Sequence, residues 1–122
     1  MEKGSTVLLI DDDSRNIFAL KAVLKAKGYN VVSAATAHEG LEMLANNIGI
    51  KVVLMDIMMP DMDGYEAIGA IRRKGTTSSL PIIAVTANAM VGDREKCIEA
   101  GANDYVSKPI DIDVLIRKLE QY

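Results

Sequence analysis

Four short apolar runs in this sequence each lead into a residue able to do chemistry. Asp11, Asp12 and Asp13 follow Val7-Leu8-Leu9-Ile10, and Asp56 follows Val52-Val53-Leu54-Met55. Thr86 follows Ile82-Ile83-Ala84-Val85, and Lys108 follows Tyr105-Val106-Ser107. Each has an ordinary explanation when taken alone. An Asp triplet can cap a helix and carry solvated charge. A threonine can close a strand, and a lysine before a proline is usually a surface residue. Asp56 resists such an explanation, because the apolar Ile57-Met58-Met59 follows it directly. Four coincidences at four strand ends point to a site. Clustered carboxylates stay ionised together only beside a compensating positive charge. Oxygen donors with no His or Cys nearby favour a hard cation, Mg²⁺ or Mn²⁺. A hard cation and a lysine beside a carboxylate suit phosphoryl transfer: the positive charges neutralise the equatorial oxygens while the carboxylate attacks in line. The product is an aspartyl-phosphate.

These residues meet only if the elements bring their strand ends together. The apolar runs predict strands at Thr6–Ile10, 29–34, 51–55, 81–85 and Asp104–Ser107. Helices fall at 14–27, 37–47, 64–74, 88–100 and Ile112–Glu120. Near-continuous apolar strands suit a parallel sheet covered on both faces. Strict alternation then implies right-handed crossovers and helices on both sides of five parallel strands. In such a sheet, ligands gather at the carboxyl ends of the strands beside the point where strand order reverses. The second strand alone ends blandly, in Ser33-Ala34-Ala35, so it belongs outside the cluster. That predicts the order 2-1-3-4-5. Thr36 with Glu39, and Asp63 with Glu66, have capping-box spacing. Asp111 is placed to cap the last helix, and Gly28 and Gly101 to end helices in the left-handed conformation. The small polar segment 75–79 reads as a loop.

Size and composition bound the rest. A chain of 122 residues fits one domain, with a core at about 5–121. Its charge of −3 comes without any cluster of Lys and Arg, which argues against nucleic-acid binding. No segment looks like a signal peptide, and the apolar runs are too short to span a bilayer, so no membrane contact is expected. The lone Cys97 excludes an internal disulfide and fits a reducing compartment. It falls in a helix as a packing residue. A cytoplasmic location follows as an expectation.

The stretches 7–13, Met55-Asp56-Ile57-Met58-Met59-Pro60-Asp61-Met62-Asp63-Gly64, Val85-Thr86-Ala87 and 101–109 resemble the receiver domains of bacterial two-component systems. The resemblance covers essentially the whole chain and implies a doubly wound α/β, flavodoxin-like (βα)5 fold in the same 2-1-3-4-5 order. It also implies a function: taking a phosphoryl group from a phosphohistidine partner onto Asp56 with Mg²⁺. By that likeness Asp12 binds the cation directly, Asp11 largely through water, and the Met58 backbone carbonyl adds a ligand. Lys108 contacts the phosphoryl group, and its bond to Pro109 is expected to be cis. Thr86 and Tyr105 form a switch pair, Thr86 meeting the new phosphoryl oxygen and Tyr105 turning in behind it. Asp11-Asp12-Asp13 with Asn16, and the run from Thr86 to Cys97, are most like receivers of hybrid sensor histidine kinases. Partners so implied are a sensor histidine kinase, a histidine phosphotransfer domain, or both. With the chain ending at Tyr122, right after the fifth helix, no output domain is expected.

Other functions fit less well. Magnesium-dependent phosphohydrolases with an aspartyl nucleophile resemble a pattern with a second Asp two residues on, where this chain has Met58. A degenerate receiver would have lost part of the acidic pair, the acceptor or the lysine, and all are present. Phosphotransfer proteins resemble helical bundles, whereas His38 opens a surface helix here. The expectation is a phosphoacceptor signalling domain, not an enzyme. Its phosphoryl group should be lost slowly, because the Met58 thioether is a poor group for holding a hydrolytic water. On a helical wheel, Leu20, Val23 and Leu24 of the first helix face the sheet. Phe18 lies about 160° from Leu20, with Ala22 beside it and Arg15 nearby. With Pro109 beyond the lysine, these residues form the candidate docking surface for the partner.

Overall fold

The computed structural model describes residues 2–46, 49–59, 62–87 and 91–122, with Val91 described by its backbone alone. Strands β1 (Thr6–Ile10), β2 (Asn30–Ala34), β3 (Ile50–Asp56), β4 (Ile82–Thr86) and β5 (Asp104–Ser107) alternate with helices. The helices are α1 (Ser14–Ala26), α2 (Ala37–Asn46), α3 (Gly64–Arg73), α4 (Val91–Ala100) and α5 (Ile112–Glu120). All strand pairs are parallel, in the order β2-β1-β3-β4-β5. The expected doubly wound α/β topology is the one observed.

The period-two alternation of a strand divides the core into two layers. Leu8, Ile10, Val53, Met55, Ile82 and Ala84 face the side covered by α2, α3 and α4, where Ala37, Leu44, Ile68, Ile71 and Cys97 meet them. Val7, Leu9, Val52, Leu54, Ile83 and Val85 face the other side, where Leu20 and Leu24 of α1 and Leu115 and Leu119 of α5 pack. Neighbouring residues of one strand therefore hold opposite layers, which is why the strands read as unbroken apolar runs. Cys97 is a free, fully buried thiol in this packing, and burial pushes its pKa up.

Element ends follow local hydrogen bonding. Tyr29 does not join β2, because its amide donates to Leu24 O at the end of α1 at 3.1 Å. Gly28 and Gly101 have φ of 96° and 118°, the left-handed conformation expected at these helix ends. The Glu39 amide donates to Thr36 Oγ1 at 3.1 Å, the forward half of the expected capping box. Asp63 differs: its carboxylate accepts from the Tyr65 amide at 2.8 Å, a tighter turn than a bond three residues on. Asp111 caps α5 through the amides of Asp113 and Val114. The expected first residues of the fourth helix, 88–90, and the last of the second, 47, lie outside the described residues.

One unanticipated fixture ties the end of the sheet away from the reactive residues. Arg72, in the last turn of α3, donates from Nε to Gly101 O at 2.8 Å and from Nη1 to Leu80 O at 2.6 Å. Its Nη2 meets Asn103 Oδ1 at 2.8 Å, and that same oxygen accepts the Ile82 amide at 2.9 Å. One guanidinium thus joins α3, the start of β4 and the turn before β5.

Candidate functional site

Strand order brings four chemically distinct ends side by side. β1, β3, β4 and β5 are consecutive neighbours, and β2 stands at the edge beyond β1. Asp11 continues β1, Asp56 closes β3, Thr86 closes β4 and Lys108 continues β5. The reactive residues of β3 and β4 lie within the strands, one residue further than expected. Asp56 still pairs in register with Val85, which fixes its backbone.

The Asp triplet divides into three environments. Asp11 is buried, Asp12 is exposed, and Asp13 is the N-cap of α1, accepting from the amides of Arg15 and Asn16. Asp11 Oδ1 accepts the Asp13 amide at 2.9 Å, and its Oδ2 accepts from Asn16 Nδ2. Asn16 therefore orients Asp11, a role that its place in the motif did not disclose. Carboxylate oxygens of Asp11, Asp12 and Asp56 all lie within 4.8 Å of one another.

Asp56 is 2% exposed. Its Oδ1 accepts the Met58 amide at 3.1 Å, and its Oδ2 faces Lys108 Nζ at 3.3 Å. The same ammonium lies 3.9 Å from Asp11 Oδ2. Burial pushes the Asp56 carboxyl above its ordinary 3.8, and Asp11 adds to the rise, while the Met58 amide and Lys108 oppose it. Apolar Leu9, Ile10, Ile17, Leu20, Leu54 and Val85 share a small cavity of about 10 Å³ with the two carboxylates, which accounts for the poor solvation. Three carboxylates face one ammonium, so two negative charges stay uncompensated when all are ionised. An all-oxygen donor set with that excess fits a hard divalent cation.

The backbone around Asp56 depends on a glycine. At Gly64, which begins α3, an added Cβ would stand 2.5 Å from Ile57 Cα and 2.9 Å from Asp56 O. The Gly64 amide donates to Ile57 O at 3.1 Å, which ties the start of α3 to the residue after Asp56. Met58 is exposed, so its thioether points away while its amide serves Asp56.

Thr86 is buried, and the Lys108 amide donates to Thr86 O at 2.8 Å. The Lys108–Pro109 bond is cis, as expected. Tyr105 is in register with Ala84, two residues before Thr86, so Tyr105 and Thr86 project from the same sheet face. Arg15, Phe18, Ala22 and Pro109 are all exposed, Phe18 at 77%. Val23 is only half-buried, whereas Leu20 and Leu24 carry the packing of α1. His38 is an exposed residue of α2. Among the described residues, no helix is long and apolar enough to cross a membrane.

Comparison with known proteins places the chain in one family. Residues 7–120 match the model of the response regulator receiver domain. An uncharacterised 14.6 kDa protein of Leptolyngbya boryana is 39% identical over 95% of this chain and 88% of its own length. Sensor histidine kinase RcsC of Salmonella typhimurium is 38% identical over 95% of this chain, which spans only 12% of that kinase. Among solved structures, the receiver domain of sensor histidine kinase PA1611 from Pseudomonas aeruginosa superposes with a TM-score of 0.89 at 37% identity. That match covers 98% of this chain and 97% of the other, whose active site cleft coordinates a magnesium ion. A family model spanning nearly the whole chain, with a solved receiver domain superposing on the same fold, establishes that this protein belongs to the response regulator receiver domain family.

Proposed function

We propose that this receiver domain accepts a phosphoryl group on Asp56 from a phosphohistidine partner and passes the event on by a change around Thr86 and Tyr105. The observation that carries this reading is the buried Asp56 facing Lys108 at 3.3 Å, with Asp11 and Asp12 beside it. An Asp56 oxygen attacks phosphorus, the P–N bond breaks, and the leaving imidazole nitrogen keeps the electron pair and takes a proton from solvent. Asp11, Asp12, Asp56 and the Met58 carbonyl would hold Mg²⁺ or Mn²⁺, which when bound neutralises the phosphoryl oxygens. Lys108 answers the same charge from the other side, and Thr86 offers a hydroxyl to a phosphoryl oxygen. Asn16 keeps Asp11 turned toward the cluster.

The partner of this reading is a sensor histidine kinase or a histidine phosphotransfer domain, received on the exposed face of α1 around Phe18, Ala22 and Arg15 with Pro109. The chain acts as a single phosphoacceptor domain over 1–122, cytoplasmic and not an enzyme. Similarity runs both to sensor kinases and to a 14.6 kDa protein little longer than this chain, so a hybrid-kinase receiver and a stand-alone regulator both fit this reading. The exposed thioether of Met58 gives a hydrolytic water little to bond to, which suits a slow loss and a relay role.

Acid-stable trapping tests the assignment. The protein is incubated with acetyl phosphate and Mg²⁺, then reduced with borohydride, which converts an acyl phosphate to an alcohol. Peptide mass mapping should find homoserine at position 56 and nowhere else; homoserine at another aspartate would overturn the assignment.

A further inference from the structure

Tyr105 lies on β5, one of the two edge strands of the sheet, between helices that cover opposite faces. Two cations reach its ring from those helices. Arg94 Cζ of α4 is 5.8 Å from the ring centroid, and Lys118 Nζ of α5 is 5.9 Å from it. Both fall within the range where a cation is drawn to the face of a phenol ring. We infer that Arg94 and Lys118 clamp the Tyr105 ring in its resting position and so set how readily that ring can turn toward Thr86. This rests on the reading of Thr86 and Tyr105 as a switch pair.

The two cations differ in kind. Lys118 Nζ is tied to Asp104 Oδ1 at 2.9 Å, and its side chain is only 24% exposed. That same Asp104 oxygen accepts the Tyr105 amide at 2.8 Å, so Lys118 is anchored to the strand that carries the ring. A partly desolvated cation binds an aromatic face more strongly than a solvated one. Lys118 is thus the fixed jaw. Arg94 is exposed, so it is the movable jaw. It belongs to α4, the helix that follows Thr86 in the chain.

A ring that turns inward gives up both cations, so the clamp opposes the turn and each cation removed favours it. The two are positioning residues: neither touches Asp56. A cation on an aromatic face is worth a factor of roughly two to five in such an equilibrium at a largely exposed site. The effect on an existing population is of the size that separates a ready switch from a reluctant one.

Fluorine NMR of protein labelled with 3-fluorotyrosine reads the ring directly, with Tyr105→Phe identifying its resonance among the four tyrosines. The wild type, Arg94→Gln, Lys118→Gln and Arg94→Lys are compared before and after acetyl phosphate with Mg²⁺, with intact mass reporting labelling. In unphosphorylated protein, Arg94→Gln should move the Tyr105 resonance toward its phosphorylated position, a population ratio raised about two- to fivefold. Lys118→Gln should move it at least as far, and Arg94→Lys should restore the wild-type position. A merely structural role would lower thermal stability without this directed shift. A wild-type resonance that stays still in fully phosphorylated protein would overturn the switch reading itself. A wild-type resonance that moves, with both glutamine variants matching it in each state, would overturn the clamp alone.

Discussion

The Lys108 ammonium stands 3.3 Å from Oδ2 of Asp56, yet burial still holds the Asp56 carboxyl above its ordinary 3.8. A folded-state value above the unfolded one means that the fold binds this proton more tightly than the open chain does. The ionised acceptor therefore costs stability. That cost is absent below about pH 3.8, grows as pH rises through the folded value, and is complete above it. Asp56→Asn should melt at a higher temperature than wild type at neutral pH in chelator-treated protein. The advantage should shrink as pH falls toward the ordinary carboxylate range. Equal midpoints at neutral pH would mean that Lys108 offsets the burial fully.

Neighbouring aspartates should separate cleanly by role. Asp12→Ala removes an exposed carboxylate of the cluster, and Mg²⁺ affinity should fall more than tenfold, about 1.4 kcal/mol. Asp13→Ala removes the cap of α1 and should cost about 1 kcal/mol of stability with metal affinity nearly unchanged. Asn16→Ala should weaken metal binding less than Asp12→Ala, by freeing Asp11 to turn. Paired titrations and urea melts check all three; metal affinity that follows Asp13 and ignores Asp12 would reverse the assignments.

Phe18 is 77% exposed, so its removal should leave the fold untouched. Phe18→Ala should slow transfer from a histidine phosphotransfer domain about fivefold or more, the roughly 1 kcal/mol that only a minority of interface residues exceed. Labelling by acetyl phosphate, which needs no docked protein, should proceed at the wild-type rate. Equal loss with both donors would make Phe18 a structural residue.

Arg72 offers the opposite pattern. Its guanidinium serves the carbonyls of Leu80 and Gly101 and the side chain of Asn103 at the end of the sheet remote from Asp56. Arg72→Ala strips a half-buried charged donor from these partners and should cost about 2–4 kcal/mol. Denaturant melts read that loss, and labelling of the folded variant should be normal. A loss below about 1 kcal/mol would show that water replaces the guanidinium easily.

The architecture was legible because unbroken apolar runs and strand–helix alternation leave few topologies open. The bland end of β2 even supplied the strand order, since Ser33 and Ala34 carry nothing for a shared site. The cluster of Asp11, Asp56, Thr86 and Lys108 followed from the same logic, each residue being read at its own strand end. Contacts between distant segments were not legible. Arg72 binds mainly backbone carbonyls, which have no sequence signature, and Arg94 and Lys118 meet at Tyr105 only because α4 and α5 flank one edge strand. Asn16 was visible as part of a motif, but its bond to Asp11 depends on where the Asp13 cap starts α1.

Asp56 as acceptor is the claim on which the others depend, and intact-mass spectrometry after acetyl phosphate treatment tests it most directly. Wild type with Mg²⁺ should gain a single phosphoryl group, and wild type with a chelator should gain none. Asp56→Asn, which keeps the shape and removes the nucleophile, should stay unmodified under the same conditions. Full labelling of Asp56→Asn, or of wild type without a divalent cation, would contradict the site described here.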